Sequence, residues 1–146
     1  MSNEVASWAA DVRWRAQLAL ARRGWVHKPD DERVFVFGSN LAGKHGAGAA
    51  KYARDMLGAE PGIGAGLMRG QRCYALPTKD GRLRVLTLEQ ITVHVSRFIA
   101  AAGCRPDLRF FVSRIGCGLA GYADEDIAPL FAGVPPNCDL PPGWRP

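Results

Sequence analysis

The stretch 33-RVFVFGSNLAGKHGAGAAKYARDM-56 decides the fold. Residues 33–37 form a β-branched and aromatic run with no polar alternation, the pattern of a strand buried on both faces of a sheet. The pattern predicts that this strand stops at Gly38. Gly38, Gly43, Gly46 and Gly48 then surround Ser39, Asn40, Lys44 and His45, and residues 47–56 become an alanine-rich segment of high helix propensity. In a strand, glycine loop and helix of this kind, backbone N–H groups can approach an anion closely. Glycine permits positive φ and has no Cβ in the way, and the helix N-terminus adds a favourable dipole. The expected occupant is a phosphate-bearing ligand; a glycine-rich turn with no ligand is the plainer alternative.

At 146 residues the chain fits one domain and can bury a core. Its formal charge of +5 comes mostly from scattered arginines. There is no basic run and no aromatic–basic interleaving, so small anions suit it as well as nucleic acid does. Cys73, Cys104, Cys117 and Cys138 lie far apart, with no CxxC pair and no cysteine–histidine spacing for zinc. They read as reduced cytosolic thiols, and neither a metal nor a cofactor is called for. No stretch of about 18 apolar residues occurs and the N-terminus carries charges within its apolar pattern, so no membrane partner is expected and the cytoplasm is the default.

Residues 3–23 place Val5, Trp8, Ala9, Val12, Ala16, Ala19 and Leu20 at three- and four-residue steps, predicting an amphipathic helix. Residues 1–31 therefore read as an N-terminal helical extension and 32–146 as the ligand-binding domain. Residues 58–70, rich in glycine and without a period, read as a loop long enough to suspect function. Residues 71–76 read as a strand ending at Pro77, which puts Lys79 just past a strand end; a solvated turn lysine is the alternative. Thr87-Leu-Glu-Gln90 matches a capping box, and the helix it opens has Ile91, Val95, Phe98 and Ala102 on its apolar face. His94 beside that face reads as structural.

Residues 108–112, LRFFV, are a third buried-strand candidate and lead directly into a second glycine loop, 113-SRIGCGLAG-121. A short helix over 124–131, a short strand over 137–140 and an irregular tail complete the chain. Strands separated by helices imply parallel βαβ units, which bring both glycine loops to one end of the sheet. Arg114 could meet a phosphate or pair with Asp124, and Tyr122 and Tyr52 are aromatic candidates for stacking. Cys117 lies between glycines and reads as a small loop residue rather than a nucleophile.

Gly38-Ser-Asn-Leu-Ala-Gly43-Lys44 has the GxxxxGK spacing of a nucleotide-triphosphate P-loop. His45, however, stands where a hydroxyl should bind Mg²⁺, and no strand ends in an acidic residue of the Walker-B type.

The motifs HGAGAAKYARDMLGA (45–59), YALPTKD (74–80) and SRIGCGLAGY (113–122) occur in an order and spacing that resembles macrodomains. The match is to those of the terminal ADP-ribose glycohydrolase type and to the DarG antitoxin group. FGSNLAGKHGAGAAK (37–51) also resembles a small macrodomain-like family of phages and bacteria. The resemblance spans residues 34 to about 131. It implies an α/β fold with a central mixed, mostly parallel sheet between helices, and ADP-ribose or an ADP-ribosylated macromolecule, nucleic acid or protein, as partner. Gly46, Ala47 and Gly48 match its first substrate loop and Ile115, Gly116, Cys117 and Gly118 its second; Gly38, Ser39, Leu119 and Tyr122 flank these. Lys79 matches a lysine that serves as nucleophile or catalytic cation. Asn40 falls where a ribose-binding asparagine often stands, with a loop-capping role as its alternative, and Asn40 and His45 are further catalytic candidates as orienters of an attacking water. Ala120 replaces the aspartate that follows GCGL in the glycohydrolase type, which favours a reader or sponge of an NAD-derived nucleotide, whereas Lys79 favours a hydrolase that removes ADP-ribose from nucleic acid or protein; the DarG group also lacks that aspartate.

Overall fold

The computed structural model describes residues 32–145. The expected helix over 3–23 lies outside the described residues.

Strand β1, Val34–Asn40, is the centre of a five-stranded sheet. Val34, Phe35, Val36 and Phe37 are all fully buried, as a run of large apolar residues without alternation requires. The strand continues through Gly38 to Asn40, two residues beyond the predicted stop. The other strands are β2 (Gly66–Leu67), β3 (Cys73–Lys79), β4 (Phe110–Val112) and β5 (Cys138–Asp139), in the order β2-β3-β1-β4-β5. β3 and β4 run parallel to β1 on its two sides, β5 runs parallel to β4, and only β2 is antiparallel. The sheet is thus mixed and mostly parallel.

Helix α1, Gly48–Leu57, ends at Gly58 in the left-handed conformation (φ 74°), where a glycine costs least. Ala50, Ala53 and Leu57 pack with Phe35 and Phe37 on one face of the sheet. Helix α2, Leu88–Gly103, opens with the predicted capping box: Gln90 N donates to Thr87 Oγ1 at 3.2 Å and Thr87 N to Gln90 Oε1 at 2.9 Å. Its buried residues are Ile91, Val95, Phe98 and Ala102, and they meet Val34, Val36, Tyr74 and Leu76 on the opposite face. Both faces of β1 are therefore covered. The predicted helix over 124–131 is divided into α3, Asp124–Ile127, and a 3₁₀ turn, Ala128–Phe131, since Pro129 supplies no N–H to continue an α-helix.

Pro77 lies inside β3 rather than ending it, for a reason visible in the hydrogen bonds. The carbonyl of Arg72 accepts from Phe35 of β1 and that of Cys73 accepts from Met68 next to β2. Alternation turns Pro77 to the β2 side, where pairing has already run out at Ala75, so its missing N–H breaks no ladder bond. The register then shifts, from Ser39 opposite Pro77 to Asn40 opposite Lys79, and Thr78 is the extra residue. This bulge sets the direction of Lys79. No disulfide joins the four cysteines, and no helix of the described residues is long and apolar enough to cross a membrane.

Candidate functional site

The chain leaves β1 for β3 on one side and later crosses to β4 on the other, so the strand order reverses at β1. In open parallel sheets ligands bind outside the carboxyl ends of the strands at such a point. A cleft of about 870 Å³ opens there, within the range of small-molecule sites. β1 contributes Gly38, Ser39 and Asn40, β3 contributes Thr78 and Lys79, and the end of β4 leads into Ser113 and Arg114. The two glycine loops meet across it: Lys44, Gly46, Ala47 and Gly48 on one side, and Ile115, Gly116, Gly118, Leu119 and Ala120 on the other. Tyr52 closes the floor, its ring edge-on to Phe35 at 5.7 Å. No Asp or Glu lines the cleft, whereas Lys44, Lys79 and Arg114 do. Lys44 and Lys79 have no ion-pair partner among the described residues.

The backbone donors divide sharply between the two halves of the first loop. Leu41 N donates to Lys79 O, Gly43 N to Asn40 O and Lys44 N to Asn40 Oδ1, each at 3.0 Å. By contrast, the N–H groups of Gly46 and Ala47 find no acceptor among the described residues. The first turn of α1 is likewise uncapped, because Ala47 at the N-cap has no side-chain acceptor to offer. In the second loop the N–H groups of Gly116, Gly118 and Leu119 are also without an acceptor among the described residues. Donors without an acceptor among the described residues, from a ten-residue helix and from the second glycine loop, with no carboxylate in the cleft lining, form the kind of surface that suits an anion.

Gly43 is required for shape: at φ 68°, a Cβ there would strike the backbone of Gly62. In the same way a Cβ on Gly64 would fall on Asn40 O. The stretch 58–70, read as one loop suspected of function, contains the short strand β2, and its residues 58–65 are a buttress pressed backbone to backbone on the first glycine loop. Ser39 Oγ donates to Gly64 O, and His45 Nε2 lies 3.2 Å from Glu60 O and 3.0 Å from Ile63 O. With two carbonyls as partners, Nε2 is the protonated nitrogen and divides its hydrogen between them.

These contacts correct several expectations. His45 is only 3 % exposed, stacks edge-on to Phe37 at 5.4 Å and does not border the cleft, so it cannot orient a water there. Asn40 borders the cleft, but its amide closes the loop: Nδ2 donates to Lys44 O at 2.7 Å and Oδ1 accepts from Lys44 N. The loop-capping alternative describes it. Cys117 is buried, lies outside the cleft lining and has its thiol 3.6 Å from Ile115 O. Tyr122 is turned away as well, its hydroxyl donating to Leu86 O and its N–H to Gly116 O at 2.8 Å. It props the second loop from behind.

Arg114 pairs with Asp124 through both carboxylate oxygens, Nε to Oδ1 at 2.8 Å and Nη2 to Oδ2. It also borders the cleft, so the two roles weighed for it are compatible. The bond to Asp124 raises the Arg114 pKa further. Burial pushes the Asp124 carboxyl up, but hydrogen bonds from Arg114 and Trp144 outweigh it and hold the group below its ordinary value. Sequence reasoning passed over Trp144 and Leu83, because an irregular tail and a turn carry no periodic signal. No group of three or more His, Cys, Asp or Glu side chains that could hold a metal ion occurs among the described residues.

Fold and cleft together define an α/β protein with a cleft lined by cations, and by no carboxylate, at the carboxyl edge of its parallel strands. Comparisons with family models, with curated proteins and with solved structures give no match to the chain.

Proposed function

We propose that the cleft binds ADP-ribose or an ADP-ribosyl group, with its diphosphate between the two glycine loops. One observation carries this reading: N–H groups of Gly46, Ala47 and the start of α1, and those of Gly116, Gly118 and Leu119, have no acceptor among the described residues, and these residues line one cleft together with cations and no carboxylate. The macrodomain-like order of the sequence motifs supplies the nucleotide. The P-loop alternative is disfavoured, because the N–H groups of Leu41, Gly43 and Lys44 are used within the protein and α1 begins four residues after Lys44.

Lys79, half-buried at the end of β3, is the candidate nucleophile for removing ADP-ribose from a nucleic acid or protein acceptor. In this mechanism the amine, in its neutral form, bonds to the anomeric carbon of ribose and gives up a proton. The glycosidic bond to the acceptor breaks with its electron pair leaving on the acceptor, which takes the proton given up by the amine. The resulting ribosylamine opens to a Schiff base, and water then hydrolyses the Schiff base to return the amine and free ADP-ribose. A binding-only protein is the second reading, favoured by the lack of any acidic side chain in the cleft to serve as general acid or base.

Isothermal calorimetry and thermal melting with ADP-ribose, against ATP with Mg²⁺, test the site. ADP-ribose is expected to bind and to raise the melting temperature by mass action. A response to ATP with Mg²⁺ and none to millimolar ADP-ribose would return the site to the P-loop class.

A further inference from the structure

The hairpin that follows Lys79 contains a residue out of keeping with its backbone. Lys79 bridges Val85, Asp80 N donates to Arg84 O at 2.8 Å and Leu83 N to Asp80 O at 3.1 Å, so residues 80–83 form a tight turn. Asp80 Oδ1 secures it by accepting from the N–H groups of Arg82 and Arg84, at 2.8 and 2.9 Å. The residue that ends such a turn takes the left-handed conformation and is usually glycine or asparagine. Here it is Leu83, at φ 63°.

A leucine in this conformation is strained, because its Cβ crowds the following carbonyl. Burial does not compensate for it: Leu83 is 45 % exposed. Yet it borders the cleft, as does Leu119, the most exposed of the large apolar residues at 72 %. The two stand on loops that follow β3 and β4, the strands on either side of β1. A strained, exposed apolar side chain at the mouth of a site calls for a contact that the described residues do not provide.

We propose that Leu83 is a specificity-determining residue that packs on the carbon-rich face of a ribose or base ring of the bound nucleotide, opposite Leu119. This rests on the ADP-ribose reading above and adds to it a means of preferring a ring-bearing ligand to a bare phosphate. The strain is held in the free protein, and the contact is made only on binding.

Leu83→Asn and Leu83→Met test the idea by calorimetry and thermal melting. Asparagine tolerates the left-handed backbone but has no apolar surface, so Leu83→Asn is expected to raise the melting temperature by roughly 2–6 °C. The same variant should weaken ADP-ribose about three- to tenfold, the worth of burying the exposed part of a leucine. Leu83→Met keeps the apolar contact and should stay within about twofold of the wild type. Unchanged ADP-ribose affinity in Leu83→Asn overturns the proposal, as does a lower melting temperature, which would mean that the leucine packs on its own fold. Equal losses in both variants overturn it too. A wild type that does not bind ADP-ribose refutes the nucleotide reading itself, and the Leu83 contact with it.

Discussion

Trp144 donates its indole N–H to Asp124 Oδ1 at 3.0 Å, and so the C-terminal tail secures the second glycine loop. Trp144 is 3 % exposed and packs on Phe131 with ring centroids 5.5 Å apart. Asp124 passes the constraint to Arg114, which closes residues 114–124 into a loop with Gly116, Gly118 and Leu119 inside it. A side chain at the far end of the chain thereby shapes one wall of the cleft.

Breaking that link should be costly. Asp124→Ala leaves the largely buried guanidinium of Arg114 without its carboxylate and is expected to destabilise the fold by about 3 kcal/mol. Trp144→Phe keeps the ring against Phe131 and removes one charge-assisted hydrogen bond, a loss of about 1.5–3 kcal/mol. Urea denaturation measures both, and a Trp144→Phe variant as stable as the wild type would show that the indole N–H is immaterial.

Acid should weaken the same cluster. The Asp124 pKa is lower in the folded state than its ordinary 3.8, so below that ordinary value the unfolded chain binds more protons than the folded one. The stability it contributes is fully present well above pH 3.8 and is lost as the pH falls through the folded value. Denaturation curves over this range should show a shallower acid loss in Trp144→Phe, whose Asp124 lacks one of the bonds that lower its pKa.

Gly118 offers a test of the ligand site that leaves the fold intact. A Cβ there meets nothing within 4 Å. Gly118→Val should melt within a few degrees of the wild type and lose most ADP-ribose affinity, because the added branches occupy the space where the backbone meets the diphosphate. Wild-type affinity in this variant would place the diphosphate elsewhere.

Gly64 gives the opposite case. It borders no part of the cleft, yet a Cβ would fall on Asn40 O, with the Asn40 carbonyl carbon and Leu41 Cα each 3.0 Å away. Gly64→Ala is expected to cost roughly 3 kcal/mol by forcing the two loops apart. Circular dichroism melting would detect this, and an unchanged midpoint would mean that the loops slide freely on each other.

Lys79 separates an enzyme from a binder. Lys79→Ala should lose removal of ADP-ribose by several orders of magnitude while keeping most ADP-ribose affinity, and borohydride should trap an adduct with the wild type alone. If no substrate is turned over by the wild type, the same variant costs only about 1.5–3 kcal/mol of binding, the worth of one charge-assisted contact. Turnover that survives Lys79→Ala would rule out the amine as nucleophile.

The sequence by itself determined the long elements and the edge on which they meet, but not β2, which lies inside a stretch that reads as loop. The buried run of β1, the Thr87–Gln90 capping box and the stripe Ile91, Val95, Phe98 and Ala102 are set by neighbours within a few residues, where periodicity and local hydrogen bonding act. Two glycine loops that follow parallel strands must then share one end of the sheet. Only the tertiary structure decided which loop atoms remain available. Ser39 spends its hydroxyl on Gly64, 25 residues away, His45 turns to Ile63, 18 residues away, and Tyr122 reaches Leu86, 36 residues away. Pro77 stays in its strand because β2 ends early, and Lys79 owes its direction to the bulge at Thr78. A loop side chain turns toward the nearest unsatisfied group, and that group belongs to another part of the chain, so its direction is fixed by the assembled sheet and not by local sequence.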